Sequence, residues 1–284
     1  MIKSPFNWVG NKYRYIDIIN KLILNKQYEN VYEPFLGTGN VLLNIQCNAT
    51  NYFGNDTIYL IPEIYNFIKN DNYVYTLQDF EDVETKYNNF SVNADYYDLR
   101  SDWNTQYLNK NYSREFVIKT IMLLKMCSNS MVRFNSKNQF NQGFRGITNG
   151  NFFKDITKIN IIDSLNDFST HLKKNNFIFT HDNYFNINFK EDSLLIIDPP
   201  YLLSEGIYSS NIDEQLDKNI IEKMLDSNCD FLYFSYENNN GKVNNNIPLL
   251  SGYNKMYLST SDCSGQNRST SIKSVKEVLF YKIK

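Results

Sequence analysis

The apolar residues Ile16, Ile19, Leu22 and Ile23 fall on one face at helical spacing, which predicts an amphipathic helix within residues 12–25. Residues 30–36, Asn-Val-Tyr-Glu-Pro-Phe-Leu, read as a short strand running into a turn that contains Gly37 and Gly39. A helical pattern resumes over 40–45, a second short strand ends on Asp56, and 58–68 patterns as another helix. Strand, loop, helix, strand and helix in that order predict a βαβ unit.

Strand signals are sparse between 71 and 160. Residues 116–126 are nearly all apolar and predict a buried helix. Residues 129–146 follow as a polar, glycine-punctuated loop, long for a compact domain and therefore functional or mobile. Strand patterns return at 177–180, 193–198, 231–235 and 278–282. The run Leu194-Leu-Ile-Ile is continuously apolar, the mark of a strand buried on both faces. Strands alternating with helices predict an α/β fold with a mostly parallel sheet, interrupted by the mid-chain block. Periodicity leaves the direction of the last strands open.

Composition narrows the class. With 22 Tyr and 20 Phe in 284 residues the chain is not disordered, and it is long enough to bury a core without staples. Cys47, Cys127, Cys229 and Cys263 are far apart, and His171 and His181 are the only histidines. These spacings argue against a zinc ribbon or a His-rich site, so no metal and reduced thiols are expected. No leader pattern opens the chain and no apolar run approaches a membrane span, so a soluble cytoplasmic protein with no membrane partner is expected.

The net charge of −2 hides an uneven distribution. Residues 51–99 hold nine acids against two Lys, residues 100–154 hold nine Lys/Arg against two acids, and residues 251–284 hold six against two. Charge alone reads equally as solvated surface. The 43 asparagines fit turn chemistry, but AT-rich codon usage accounts for them more simply.

Three stretches carry candidate chemistry. In Tyr32-Glu33-Pro34-Phe35-Leu36-Gly37-Thr38-Gly39-Asn40 a strand enters a Gly-x-Gly turn, whose glycines permit positive φ and close backbone approach to a ligand. By itself the turn reads equally as a plain βα connection, and it lacks the third glycine of a dinucleotide fingerprint, which argues against a dehydrogenase. Asp56, at the end of the next strand, can accept both hydroxyls of a ribose or cap the following helix. Asp198-Pro199-Pro200-Tyr201 follows the buried strand and is the most specific of the three. It delivers a carboxylate, rigid free carbonyls and an aromatic face at a strand's C-terminal end, a combination suited to a planar amine.

A Phe-x-Gly-x-Gly turn followed downstream by Asp-Pro-Pro-Tyr resembles the S-adenosylmethionine-dependent amino-methyltransferases. More narrowly, the chain resembles the DNA adenine-N6 methyltransferases of the Dam type, the alpha-ordered D12 class. Phe6-Asn-Trp8-Val-Gly10-Asn11-Lys12 is similar to the family's Trp-Ala-Gly-Gly-Lys motif, and 33–39 to its Glu-Pro-Phe-x-Gly-x-Gly motif. Residues 129–143 resemble its DNA-contacting hairpin. There are departures: Asn11 replaces Gly, Asn129-Ser130 stands where Asn-Gly is usual, and Asn138 replaces a later Gly. Residues 142–146 read Gln-Gly-Phe-Arg-Gly where enzymes acting on GATC have Val-Pro-Phe/Tyr-Gly, so that specificity is not implied.

The resemblance implies a Rossmann-like doubly wound methyltransferase sheet from 1–68 and 161–284. A mainly helical target-recognition insertion would occupy 69–160. It implies S-adenosylmethionine as methyl donor, held by Trp8, Lys12, Glu33, Phe35, Gly37, Gly39, Asp56, Asp182 and Asp198. Catalysis falls to Asp198, Pro199, Pro200 and Tyr201. Double-stranded DNA is the implied partner, contacted by Asn129, Arg133, Asn135, Lys137, Asn141 and Arg145, with a cognate restriction endonuclease as a functional pair. The implied reaction is base flipping followed by direct transfer to adenine N6. Phe134 and Phe140 read as DNA contacts or as loop core. Cytosine-N4 enzymes more often carry Ser-Pro-Pro-Tyr and protein-glutamine enzymes Asn-Pro-Pro-Tyr, so Asp198 favours adenine. An RNA base or a catalytically silent DNA-binding decoy are the remaining alternatives.

Overall fold

The structure is a computed structural model, and the residues described are all of 1–284 except 9, 129–131, 147–151, 203–212, 240–241 and 259–275. The chain forms two compact units. One, the sheet unit, comprises Arg14–Leu36, Ile45–Thr57 and Asp182–Lys284; the other, the helical unit, comprises Met1–Tyr13, Gly37–Asn44 and Ile58–His181.

In the sheet unit β1 (Gln27–Glu33) pairs in parallel with β2 (Asn48–Asn55) on one side and β4 (Ser193–Ile197) on the other. β4 in turn pairs in parallel with β5 (Asp230–Asn239). Every residue of β4 is buried, as its unbroken apolar run predicts. The direction left open by periodicity is antiparallel: β8 (Lys276–Lys282) lies between β5 and β7 (Asn254–Tyr257), and β6 (Lys242–Val243) pairs antiparallel with β5. The order within this unit is β2-β1-β4-β5-β8-β7, a mostly parallel sheet with an antiparallel edge, as expected for a Rossmann-like methyltransferase. Leu195, Ile197, Phe231, Tyr233, Val278 and Phe280 form its core with Ile220, Ile221 and Met224 of α7 (Glu214–Asp226). Asp213 caps α7 by accepting from the Leu216 N–H at 2.7 Å.

Two predicted helices are shorter than their patterns. α1 covers only Ile16–Leu22, because Asn25 takes a left-handed conformation at φ 63 and closes it. The pattern over 40–45 yields a single 3-10 turn, Leu42–Asn44. There the Asn44 Nδ2 donates to the carbonyls of Asn40 (2.8 Å) and Ile2 (2.7 Å), so side-chain amides compete with helix propagation.

The helical unit contains α2 (Leu60–Asn70), α3 (Leu77–Lys86), α4 (Asn93–Leu108), α5 (Arg114–Met126), α6 (Asp155–Lys174) and β3 (Phe177–Thr180). Thr76 and Asp79 form a capping box at α3, and Ser113 caps α5. The α5 apolar run is buried as predicted. Trp103 stacks between Tyr107 and Phe116, and its Nε1 donates to Thr120 at 2.8 Å. Among the described residues no helix is long and apolar enough to cross a membrane.

Candidate active site

Parallel pairing brings the C-terminal ends of β1, β2, β4 and β5 to one edge of the sheet unit. β1 is flanked by β2 and β4, and β4 leads on to β5, so the strand order reverses between β1 and β4. Open α/β sheets bind ligands at such a switch point. Glu33 ends β1 there, Asp56 follows β2, and Asp198 follows β4.

A residue without a sequence signature ties this edge together. Asn55, 3% exposed, donates from Nδ2 to the carbonyls of Pro34 (3.2 Å) and Asp182 (2.9 Å). Its Oδ1 accepts from the Asp182 N–H at 2.8 Å, and its own carbonyl accepts from the Leu36 N–H at 2.8 Å. One amide therefore clamps the exit of β1, the end of β2 and the segment carrying Asp182. Its position one residue before Asp56 was the available signal. Asp182 accepts from the Asn183 N–H (2.6 Å) and Asn186 Nδ2 (2.8 Å), which fixes its carboxylate on the next turn. Phe35 stacks on Tyr184 with centroids 5.0 Å apart.

In the Asp198–Tyr201 turn Pro199 is buried, and Asp198, Pro200 and Tyr201 are partly exposed. Tyr201 donates its hydroxyl to Glu277 Oε1 at 2.9 Å and meets the Tyr236 ring edge-on at 4.4 Å. Burial, with the charges of Asp198 and Glu277, pushes the Tyr201 hydroxyl well up, so it remains a donor.

The helical unit holds Trp8, Lys12, Gly37 and Gly39. Gly37 and Gly39 have φ of 49 and 62. A Cβ on Gly37 would lie 3.3 Å from the Trp8 indole, a tight contact, and the φ of 49 is one that residues with side chains rarely adopt. The Asn40 Nδ2 donates to Thr38 Oγ1 (2.8 Å), and its Oδ1 accepts from the Ser4 N–H (3.2 Å). Tyr65 donates to the Thr38 carbonyl at 2.8 Å. The N-terminal segment and the glycine turn thus form one hydrogen-bonded piece. Lys12 is buried and donates to the Gly10 carbonyl at 2.7 Å. Asn11, which departs from the usual glycine, accepts from the Tyr13 N–H at 3.1 Å and starts the following turn.

The candidate DNA-contacting loop is built as a hairpin in this unit, with bridges at Cys127–Phe144 and Phe134–Phe140. Phe134 and Phe140 pack on Trp103; Phe140 is buried loop core, and Phe134 is partly exposed. Asn104 of α4 grips the loop: Oδ1 accepts from the Phe140 N–H (2.7 Å) and Nδ2 donates to its carbonyl (3.0 Å). Sequence reasoning missed this clamp, which no local pattern announces. Asn135 Oδ1 accepts from the N–H groups of Lys137 (2.9 Å) and Gln139 (3.0 Å), so its amide holds the turn. Arg133, Lys137, Asn141 and Arg145 are exposed, and the Arg145 guanidinium lies 4.6 Å from the Phe152 centroid. Asn129 lies outside the described residues.

Much of the basic block between 100 and 154 is spent internally. Arg114 forks onto Asp71 at 2.7 and 2.9 Å, and its guanidinium holds the Asp71 carboxyl below the usual range. Lys119, fully buried, meets Asp102 (2.5 Å) and Glu115 (2.7 Å). Arg100 donates to the Gln142 carbonyl at 2.8 Å. Lys125 is half-buried, and that burial, with the charges of Lys3 and Arg145, lowers its ammonium pKa.

A profile of the D12 class N6 adenine-specific DNA methyltransferases matches residues 8–251. The chain is 29% identical over 213 residues to modification methylase StsI of Streptococcus sanguinis, covering 73% of this chain and 30% of that protein. It is 29% identical over 203 residues to a DNA adenine methylase of Haemophilus influenzae, covering 69% and 63%. It is 25% identical over 246 residues to type II methyltransferase M.FokI of Planomicrobium okeanokoites, covering 84% and 36%. The chain thus spans less than two thirds of the length of each of these relatives.

Proposed function

The chain belongs to the D12 class N6 adenine-specific DNA methyltransferase family, and from that premise we propose that it methylates adenine N6 within a short sequence of double-stranded DNA. The observation that carries the reading is Asp198-Pro199-Pro200-Tyr201 at the C-terminal end of β4, beside the strand-order reversal.

The residues fit a sulfonium nucleoside as methyl donor. A Cβ at Gly37 would crowd the Trp8 indole at 3.3 Å, and Asp56 follows β2 where a ribose acceptor belongs. S-adenosylmethionine supplies the electrophilic methyl group when bound. Trp8, Lys12, Glu33, Phe35, Gly37, Gly39, Asp56, Asp182 and Asp198 are its proposed contacts. An amine inside a base pair is out of reach, so the target base must leave the stack. The Asp198 carboxylate and Pro199 carbonyl accept the amine's two N–H bonds, which draws the nitrogen lone pair out of the ring. Tyr201 stacks on the extrahelical base, worth ~1–3 kcal/mol. Asp198 then takes up the proton that the nitrogen sheds. Positioning and fixed charge supply the rate, with no covalent enzyme intermediate.

Arg133, Lys137, Asn141 and Arg145, exposed on and beside the clamped hairpin, are proposed as DNA contacts, with Asn129 assigned by resemblance and Asn135 holding their turn. Residues 69–160 are accordingly the proposed recognition insertion within the catalytic chain, and the cytoplasm is its proposed location. The relatives named modification methylase and type II methyltransferase favour pairing with a restriction endonuclease.

Labelled methyl transfer from S-adenosylmethionine to unmethylated genomic DNA, followed by nucleoside mass spectrometry, tests the reading. N6-methyladenine is expected. Label in cytosine, in RNA or in no base would replace it with the corresponding alternative.

A further inference from the structure

Glu277 lies in β8, paired with Tyr236 of β5, and belongs to none of the motifs that announce the site. It is a carboxylate only 8% exposed. Such a group is tolerated only when its oxygens are satisfied. Oε2 accepts from the Tyr15 hydroxyl at 2.8 Å and lies 3.4 Å from Arg14 Nη2. Oε1 accepts from the Tyr201 hydroxyl at 2.9 Å. The Tyr15 hydroxyl, like that of Tyr201, is pushed up, first by burial and then by the Glu277 charge, so both phenols stay protonated and donate. Two separate stretches of the chain, Arg14–Tyr15 and the turn at Tyr201, converge on one carboxylate.

The consequence falls on Tyr201. A ring held only at its Cβ can turn about its side-chain torsions, and turning it changes the face it offers. Here the far tip is tethered by Glu277, and the ring is braced by Tyr236 at 70° and 4.4 Å between centroids. A stacking platform alone needs no hydroxyl, since phenylalanine offers the same face. The hydroxyl of Tyr201 is used to anchor the ring.

We propose that Glu277 is a positioning residue for methyl transfer, its carboxylate holding the Tyr201 hydroxyl so that the ring presents one fixed face to the extrahelical adenine. The proposal rests on the function argued above, because that base is what Tyr201 receives. Glu277 touches no reacting atom. It acts through Tyr201, with Tyr15 and Arg14 holding the other carboxylate oxygen.

Steady-state kinetics of the full chain on unmethylated genomic DNA test this with Y201F, E277A, E277Q and the double variant Y201F/E277A. Y201F and E277A are each expected to lower kcat about tenfold, the scale of one charge-assisted hydrogen bond. The KM for S-adenosylmethionine should stay near wild type, and Y201F should keep a Tm near wild type, whereas E277A also lowers the Tm because it strips Tyr15 and Arg14 of their partner. The double variant should lose no more than either single one, since both remove the same contact. E277Q keeps an acceptor oxygen and should recover most of the loss. If E277A fails to fold, Y201F still reads the contact, because it leaves Glu277 with Tyr15 and Arg14. Wild-type kcat in Y201F, or losses that multiply in the double variant, would overturn the proposal while leaving adenine methylation standing. A wild-type chain that places no methyl group on adenine overturns the proposed function and this inference with it.

Discussion

In the sheet unit the charged groups that matter stand at strand ends, where the backbone itself delivers them; in the helical unit the charged groups are mostly bound to one another. Asp56 and Asp198 each follow a parallel strand, and parallel pairing alone puts them at one edge. Arg114, Lys119 and Arg100 sit in a stretch of strongly positive sequence, yet they hold Asp71, Asp102 with Glu115, and a backbone carbonyl. A charge counted along a sequence is free only if folding brings it no partner. The sheet unit's pattern survives folding because strand direction sets it, and the helical unit's does not because side-chain pairing sets it.

That contrast breaks most directly at Asp198. Asp198→Ala is expected to reduce methyl transfer by about a thousandfold or more, the scale of removing a preorganised polar group from a reacting centre. Its unfolding midpoint should stay near wild type. Turnover at the wild-type rate would remove the strand-end carboxylate from the mechanism.

Asn55→Ala comes next. Losing one buried amide that serves Pro34 and Asp182 should cost roughly 1–3 kcal/mol in urea unfolding. It should also weaken binding of S-adenosylmethionine in calorimetry, while DNA affinity is spared. Asn104→Ala is its counterpart in the other unit. Releasing Phe140 should weaken DNA binding and leave affinity for the methyl donor alone. If both variants weaken both ligands equally, the assignment of Asn55 to the donor side and of Asn104 to the DNA-contacting loop is wrong.

Salt dependence sharpens the point about paired charges. Arg133→Ala and Lys137→Ala should each flatten the slope of log affinity against log salt by about 0.9, one phosphate contact apiece. Arg114→Ala should leave that slope unchanged, because its guanidinium is committed to Asp71. A slope that moves with Arg114 and not with Arg133 would relocate the DNA face.

The smallest effect is on acid stability. The Asp71 carboxyl is held low by Arg114, so its contribution is present above the unfolded carboxylate range and is lost as pH falls through the folded value. Asp71→Asn should therefore show a shallower loss of stability below about pH 4, where unfolded aspartates titrate. An unchanged acid limb in urea titrations would mean the pair contributes nothing.

How much was legible follows the range of each interaction. β4 was readable because Leu194–Ile197 is apolar without a break, and the candidate catalytic turn because Asp198–Tyr201 follows it immediately. Trp8 and Gly37 were readable as motifs, though not as a packed pair. Asn25 and Asn44 defeated the helical patterns around them, the first by its left-handed backbone and the second by an amide that bonds the Asn40 carbonyl, and neither leaves a periodic trace. Asn55, Asn104 and Glu277 were invisible for the same reason at longer range. Their partners lie up to 127, 36 and 263 residues away in sequence, respectively.

By itself, then, the sequence determined the α/β class, the parallel core strands and the motif residues, since hydrophobic period and rigid turns act over a few neighbouring residues. Only the tertiary structure decided which amides clamp the motifs, which cations remain exposed and which carboxylate holds Tyr201. Hydrogen bonds and ion pairs form between groups that folding makes neighbours, and nothing local in the chain encodes that meeting.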